Sequence, residues 1–424
     1  MNTAPHSLPP QAIELMPHVN GARYLRMQRG LAGFGARTDG GVSREALTSV
    51  ENEARRWLME LVHGAQYSWR VDAAGNLFLR RAGRDNALPP VMTGSHIDTQ
   101  PVGGWLDGAY GVIAGLETML ALDDAGVQTR YPLEVAMWNN EEGSRFKPGA
   151  MGSSAFADPS RLDEYLRSTD ADGTTVQQAL RSAFSAMQAA EMVPLGRPVT
   201  AYVEAHIEQG PVLEAANHTI GVVTGIQGVR WFEVVVTGSS AHAGTTPFAN
   251  RQDALLSAAR LVVAVHSCAE QYADERLRVT MGRFEVAAGS VNTVADNVLF
   301  TIDLRHPESE VLEKFEADIR RIVESNGSPC PATVTRVMDR APTPFDARVI
   351  DIVEAAARHS GVPFQRMGSG AFHDAMYLAD LCPTAMVFVP SIGGISHNAA
   401  EDTEEEHLVS GVKVLAAALM ALAM

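Results

Sequence analysis

An α/β domain interrupted by a compact α+β sandwich is the fold that the sequence predicts, and three observations predict it. The first third alternates strand and helix. The middle runs in the order β-α-β-β-α-β. The tail, residues 344–424, returns to alternating helix and strand. Strand–helix–strand order implies parallel neighbours in one sheet. The outer parts therefore make one discontinuous domain on a mixed, largely parallel sheet. The middle makes an inserted sandwich of ferredoxin-like order. The boundaries read as 1–216 and 334–424 for the discontinuous domain and 217–333 for the insertion.

In the first part, Pro89-Pro90 precedes VMTGSHID, an apolar run expected as a buried strand ending at His96 to Asp98. Gly108 to Asp124 then sets Val112, Ile113, Leu116, Met119 and Leu120 at helical spacing. Pro132 opens LEVAMWNN, a second strand expected to end at Glu141 and Glu142. Residues 159–200 read as helical and polar, and a short strand leads into AYVEAHIEQGPVLE. In the middle, WFEVVVTG alternates as a strand does. Arg251 to Glu270 is a helix with Ala254, Leu255, Ala258, Leu261 and Val262 on one face. Strands follow near 277–286 and 297–305, then a helix from Glu310 to Asn326 and a strand at ATVTRVMD. The closing apolar run, Val414 to Met424, is short of the ~20 residues that span a bilayer and reads as a core helix.

With 50 Asp+Glu against 34 Lys+Arg, the formal net charge is −16, which argues against non-specific nucleic-acid binding. Hydrophobic residues at 46% and charged residues at 20% fit a globular chain rather than a disordered one. Cys268, Cys330 and Cys382 are scattered with no CxxC, so reduced thiols in a cytoplasmic protein are expected. MNTAPHSLPPQAIELM lacks a basic region followed by an apolar core, so neither a signal peptide nor a membrane partner is expected.

Five segments concentrate His, Asp and Glu: GSHID around His96 and Asp98, LDG around Asp107, NNEEG around Glu141 and Glu142, AHIEQG around His206, and ISH ending at His397. Imidazole and carboxylate together suit a cation of the zinc type. Three His and two acids suffice for two metals if one carboxylate bridges, and such a pair activates water and polarises a carbonyl at once. His96 and the Glu pair end predicted parallel strands, where ligands gather in open α/β sheets. Taken singly, these residues also allow plainer readings. SHID serves as a strand-end cap or core histidine, Glu141-Glu142 as a solvated loop, and the glycines around Asp107 as tight turns. His242 reads alone as a loop histidine and Arg305 as a surface ion pair.

GSHIDTQPVGGWLDGAYGVIAGLE, NNEEGSRF, HIEQGPVLE, SSAHAGTTPFANRQDAL and GISHNAAED resemble, in order, the motifs of the hydantoinase/carbamoylase amidase family, within the two-metal aminoacylases and zinc exopeptidases. The similarity runs from about residue 20 to the end. It implies a dinuclear metallohydrolase cleaving the ureido C–N bond of N-carbamoyl-L-amino acids. It implies that Asp107 bridges the metals, with His96 and His206 on one and Glu142 and His397 on the other. Zinc is the expected metal, with manganese, cobalt or nickel also accepted by such ligands.

The same resemblance makes Glu141 the general base and Asp98 the acid that fixes His96's tautomer. Adjacent residues on an extended segment point apart, which would let Glu142 bind metal while Glu141 faces substrate. His242 resembles a histidine that reaches across a homodimer to stabilise the oxyanion, making the insertion a dimerisation domain. Asn292 and Arg305 match residues that hold the substrate carboxylate. Gln209 is a further substrate candidate, as is Gly370 in GSGAFHDA, where Phe372 replaces an expected glycine and His373 and Asp374 stay outside the metal set. Allantoate or a β-ureido acid is the nearest alternative substrate. An N-acyl amino-acid hydrolase or peptidase, or a non-catalytic binding protein, is more distant.

Overall fold

A computed structural model describes residues 8–287, 289–326 and 329–424. Residues 1–7, part of the N-terminal segment read as lacking a signal peptide, lie outside the described residues. The chain divides into two compact units. One runs up to Gly225 and resumes at Pro344; the other is Ile226–Thr343. Both boundaries fall later than 216/217 and 333/334, and strand pairing is the reason. Ile220–Ile226 is bonded into the larger sheet beside Thr384–Val389, whereas Ala332–Arg340 belongs to the smaller sheet beside Gly228–Thr237.

Four parallel strands form the centre of the larger unit, in the order Thr384–Val389, Ala201–Ile207, Val91–His96, Leu133–Trp138. Antiparallel strands flank them: Leu77–Arg81 and Tyr67–Val71 on one side, Ile220–Ile226 on the other. Every residue of the four central strands is buried, as in parallel sheets covered on both faces. Helices Ala109–Asp124 and Glu405–Ala423 pack on the sheet and on each other. The second is, among the described residues, the one helix long and apolar enough to cross a membrane. Here it buries Leu408, Val412, Leu415 and Leu419 in the protein core. Each such side chain contributes about 1.5–3 kcal/mol.

The smaller unit is an antiparallel sheet in the order Arg278–Thr280, Asn297–His306, Gly228–Thr237, Ala332–Arg340. The strand expected near 277–286 is two short pieces, Arg278–Thr280 and Phe284–Val286, both paired to Asn297–His306. Along Asn297–His306 burial alternates strictly, so one face is dry. That face carries Val298, Phe300, Ile302 and Leu304 against Ala258, Leu261 and Val265 of helix Ala254–Glu270 and Leu312, Phe315 and Ile319 of helix Ser309–Asn326.

Candidate metal centre

The parallel strands deliver the polar clusters to one edge of the sheet. His96 is the last residue of its strand, and His206 lies next to the end of Ala201–Ile207. Glu141 and Glu142 lie just beyond Trp138, and His397 beyond Val389. Val91–His96 pairs with Ala201–Ile207 only over Val91 to Thr93. Past that point the ladder ends, and the imidazoles of His96 and His206 face each other with ring centroids 6.1 Å apart. Ligand sites at the carboxyl ends of diverging strands are the rule in such sheets.

Asp107 is the hub. Its Oδ1 lies 3.2 Å from His206 Nε2 and 3.7 Å from His96 Nε2. Its Oδ2 lies 3.2 Å from His397 Nε2, which is itself 3.5 Å from Glu142 Oε2. One carboxylate thus turns one oxygen to each of two ligand trios, His96–Asp107–His206 and Asp107–Glu142–His397. His206 Nδ1 donates to the Ile207 carbonyl at 2.9 Å and His96 Nδ1 to the Asp98 carbonyl at 2.8 Å, which leaves both Nε2 atoms as acceptors.

Asp98, Asp107, Glu141, Glu204, Asp374 and Glu401 are all buried in this unit, several against the same three imidazoles. So many carboxylates out of water call for cations. The donor set fits divalent metal, with nitrogen and oxygen ligands within reach of common points.

The metal-free charges are strained accordingly. Burial pushes Glu142 and Glu401 up to about 7 and Asp98 up to about 6. Burial also acts to raise Asp107, yet without metal the imidazoles of His206, His397 and His96 hold a second proton on Nε2 and donate it to this carboxylate, which keeps it well below the usual range. For the three raised acids the folded state holds protons more tightly than the unfolded chain. The stability this contributes is complete below their ordinary values near 4 and is lost as pH rises through 6 to 7. Metal-free protein is therefore expected to lose several degrees of Tm between pH 5 and pH 8. Added manganese or zinc should largely cancel the loss at pH 8. Thermal melts with and without a chelator check this, and a metal-free Tm that rises over that interval would contradict it.

The sequence model of peptidase family M20/M25/M40 matches residues 92–421. The chain belongs to that family. It is 37% identical to the N-carbamoyl-L-amino-acid amidohydrolase of Rhizobium meliloti over 94% of this chain and 95% of that one. It is 35% identical to the allantoate amidohydrolase of Escherichia coli over 93% and 96% respectively. A crystal structure of a hydantoinase/carbamoylase family amidase from Burkholderia multivorans superposes with a TM-score of 0.88 at 42% identity, covering 96% of this chain and 98% of that one.

Within this M20 hydrolase, two sequence-based assignments change. The group that receives the His96 ring N–H is the Asp98 main-chain carbonyl, because the Asp98 carboxylate stands 3.7 Å away and is otherwise engaged. It accepts the amides of Glu141 and Glu142, each at 3.2 Å. Nor do Glu141 and Glu142 extend a strand. The strand stops at Trp138, and Asn140 takes a φ of 54°, so a turn held by Asp98 sends the two side chains to different imidazoles. Glu141 Oε2 is 3.4 Å from His96 Nε2, while Glu142 turns to His397. Gly108, at a φ of 64°, lets the backbone touch His96: a Cβ there would sit 2.4 Å from Nε2. Its amide also donates to His206 Nε2 at 3.2 Å.

Gln209, at a φ of 59°, donates to Asp107 Oδ2 at 3.0 Å, which puts it at the centre itself. Gly370 lies on a loop whose His373 ring centroid is 4.4 Å from that of His206. Phe372 reaches Gly149, beside the Glu141–Glu142 turn; a Cβ on Gly149 would lie 3.5 Å from its ring. Glu204, His206 and His373 form a further trio, but His206 has a single acceptor nitrogen, already turned to Asp107. That trio is therefore no independent site.

Gln100, Ser396, Glu204 and Glu401 escaped the sequence reading. Gln100 donates twice to Glu142, from its amide at 3.1 Å and from Nε2 at 2.7 Å. Glu204 accepts from Ser95 at 2.7 Å and from the Ala375 amide at 2.9 Å. Gln100, Ser396 and Glu401 lay within the quoted motifs GSHIDTQPVGGWLDGAYGVIAGLE and GISHNAAED without being singled out, and Glu204 lay just ahead of HIEQGPVLE.

The remaining candidates lie in the smaller unit. His242 pairs with Thr293 across a short ladder, and the Asn292 carbonyl accepts the Ala243 amide at 2.9 Å. His242 Nδ1 accepts the amides of Gly244 and Thr245 at 3.0 and 3.2 Å, which fixes the proton of the neutral ring on Nε2. Arg305 is elsewhere. Asn297–His306 starts beside this ladder, and Arg305 is next to its far end, roughly 25 Å along at ~3.3 Å per residue. It forms an ion pair with Asp303 at 2.9 Å. One subunit's Asn292 and Arg305 therefore do not meet on a single small carboxylate.

Proposed function

We propose that this amide hydrolase cleaves the ureido C–N bond of N-carbamoyl-L-amino acids, giving the amino acid, ammonia and carbon dioxide. The observation that carries the reaction type is Asp107 with one oxygen turned to each ligand trio and Glu141 buried beside them. The relative at 37% identity supports the substrate class. We take His96, Asp107 and His206 as holding one divalent cation and Asp107, Glu142 and His397 a second, zinc or an equivalent ion. Bound there, such ions lower the pKa of water and polarise a carbonyl.

The side chains do the rest. Glu141 accepts the proton of the attacking water and returns it to the leaving amine. Burial raises its proton affinity well above the usual carboxylate value, against the opposing pull of His96. His242 donates its Nε2–H to the oxygen that gains charge, and Arg305 pairs bidentately with the substrate carboxylate. The carbamate released by C–N cleavage breaks down to carbon dioxide and ammonia. Because His242 and Asn292 stand apart from Arg305, one centre takes the first two from one subunit and the third from another, which supports a homodimer. The three unpaired cysteines suit a cytoplasmic setting.

Ammonia release from N-carbamoyl-L-amino acids, allantoate and N-carbamoyl-β-alanine, on metal-reconstituted protein, tests this reading. We expect the highest kcat/KM on a carbamoyl amino acid. The relative at 35% identity makes allantoate the second reading, and a clear preference for it would displace the first. Cleavage of N-acyl amino acids with no ureido activity would sink both.

A further inference from the structure

We propose that Glu401 is a positioning residue that locks the loop bearing His397 onto the loop bearing Asp107, and so makes the Asp107–Glu142–His397 trio a tight cation site. The proposal rests on the two-cation reading above.

The two trios are built differently. His96 and His206 sit on buried central strands, which fix them. His397 sits on a loop, with its side chain 50% exposed and a φ of 52°, a backbone conformation that non-glycine residues adopt only when held there. Glu401 supplies the hold. One carboxylate oxygen accepts the amides of Leu106 and Asp107, at 3.1 and 3.0 Å. The other accepts the hydroxyl of Ser396, the residue before His397, at 2.9 Å. Gln209 Nε2 closes the network by donating to both Ser396 Oγ and Asp107 Oδ2, at 3.1 and 3.0 Å. The Glu401 carboxylate is buried against Gly104, where a Cβ would fall 2.1 Å from Oε1. A residue nearly 300 positions away in the chain thus clamps the bridging ligand's backbone and the neighbour of the exposed ligand with one side chain. Supporting contacts of this kind are worth 10–100-fold in metal affinity.

The test is titration of metal-free protein with cobalt(II) alone, followed by visible absorption, with circular dichroism to check folding. Wild type should take up two equivalents. Glu401→Ala should keep the first and weaken the second by about 10–100-fold. Glu401→Gln should stay within a few-fold of wild type, because its carbonyl still accepts both amides and its NH2 can donate to Ser396. Should Glu401→Ala not fold, Ser396→Ala carries the same test with a smaller loss. Equal losses in the Ala and Gln variants would mean that charge, not positioning, matters, and would overturn the proposal. Two equivalents at unchanged affinity in Glu401→Ala would overturn it alone. A single equivalent in wild type would overturn the two-cation reading and the proposal with it.

Discussion

Glu141→Gln is expected to bind metal as the wild type does and to hydrolyse its ureido substrate about 10²–10⁴-fold more slowly. The expectation follows from where Glu141 sits. Its carboxylate faces His96 Nε2 but belongs to neither ligand trio, whereas its neighbour Glu142 stands with Asp107 and His397. Gln matches Glu in shape and cannot take a proton. The Asp98 hold on the backbone amides of 141 and 142 is untouched by the change. Metal content by elemental analysis and kcat by ammonia release separate the roles. A variant that loses a cation along with activity would make Glu141 a ligand.

Mixed dimers give the second large effect. His242→Ala alone should lower kcat by about 10²–10³-fold, as removal of an oxyanion donor does. Combined one-to-one with Glu141→Gln, itself inactive, it should recover about a quarter of wild-type activity. In the homodimer proposed above, half the dimers would then be mixed, and each would have one site of two with Glu141 from one chain and His242 from the other. If His242 served its own subunit, every site would lack one of the two groups and nothing would return. Subunit exchange followed by a rate assay decides between them.

Part of the candidate centre was legible from sequence because some of its side chains sit at strand ends. His96 and the Glu141–Glu142 pair follow apolar runs expected as buried parallel strands, where ligands gather, whereas His206 stood out by its motif and the structure adds its strand, Ala201–Ile207. What joins the ligands was not legible. Glu401 reaches Leu106 and Gln100 reaches Glu142 through contacts between distant segments, and no local spacing announces them. Asp98 lay in a recognisable motif, but motifs name residues rather than atoms, and here the main-chain oxygen does what the carboxylate was assigned. The separation of Asn292 from Arg305 was readable in principle. VLFTIDLR between them alternates as a strand does, and a strand holds its ends apart.

The unequal exposure of the two ligand trios has a practical consequence for anyone purifying this enzyme. His96 and His206 are sealed within the sheet, while His397 stands half in solvent. An ion at the sealed position should leave slowly and so preserve a record of the metal present when the chain folded. An ion at the open edge should equilibrate with whatever the buffer contains. Preparations from different media would then differ in composition and specific activity without differing in fold.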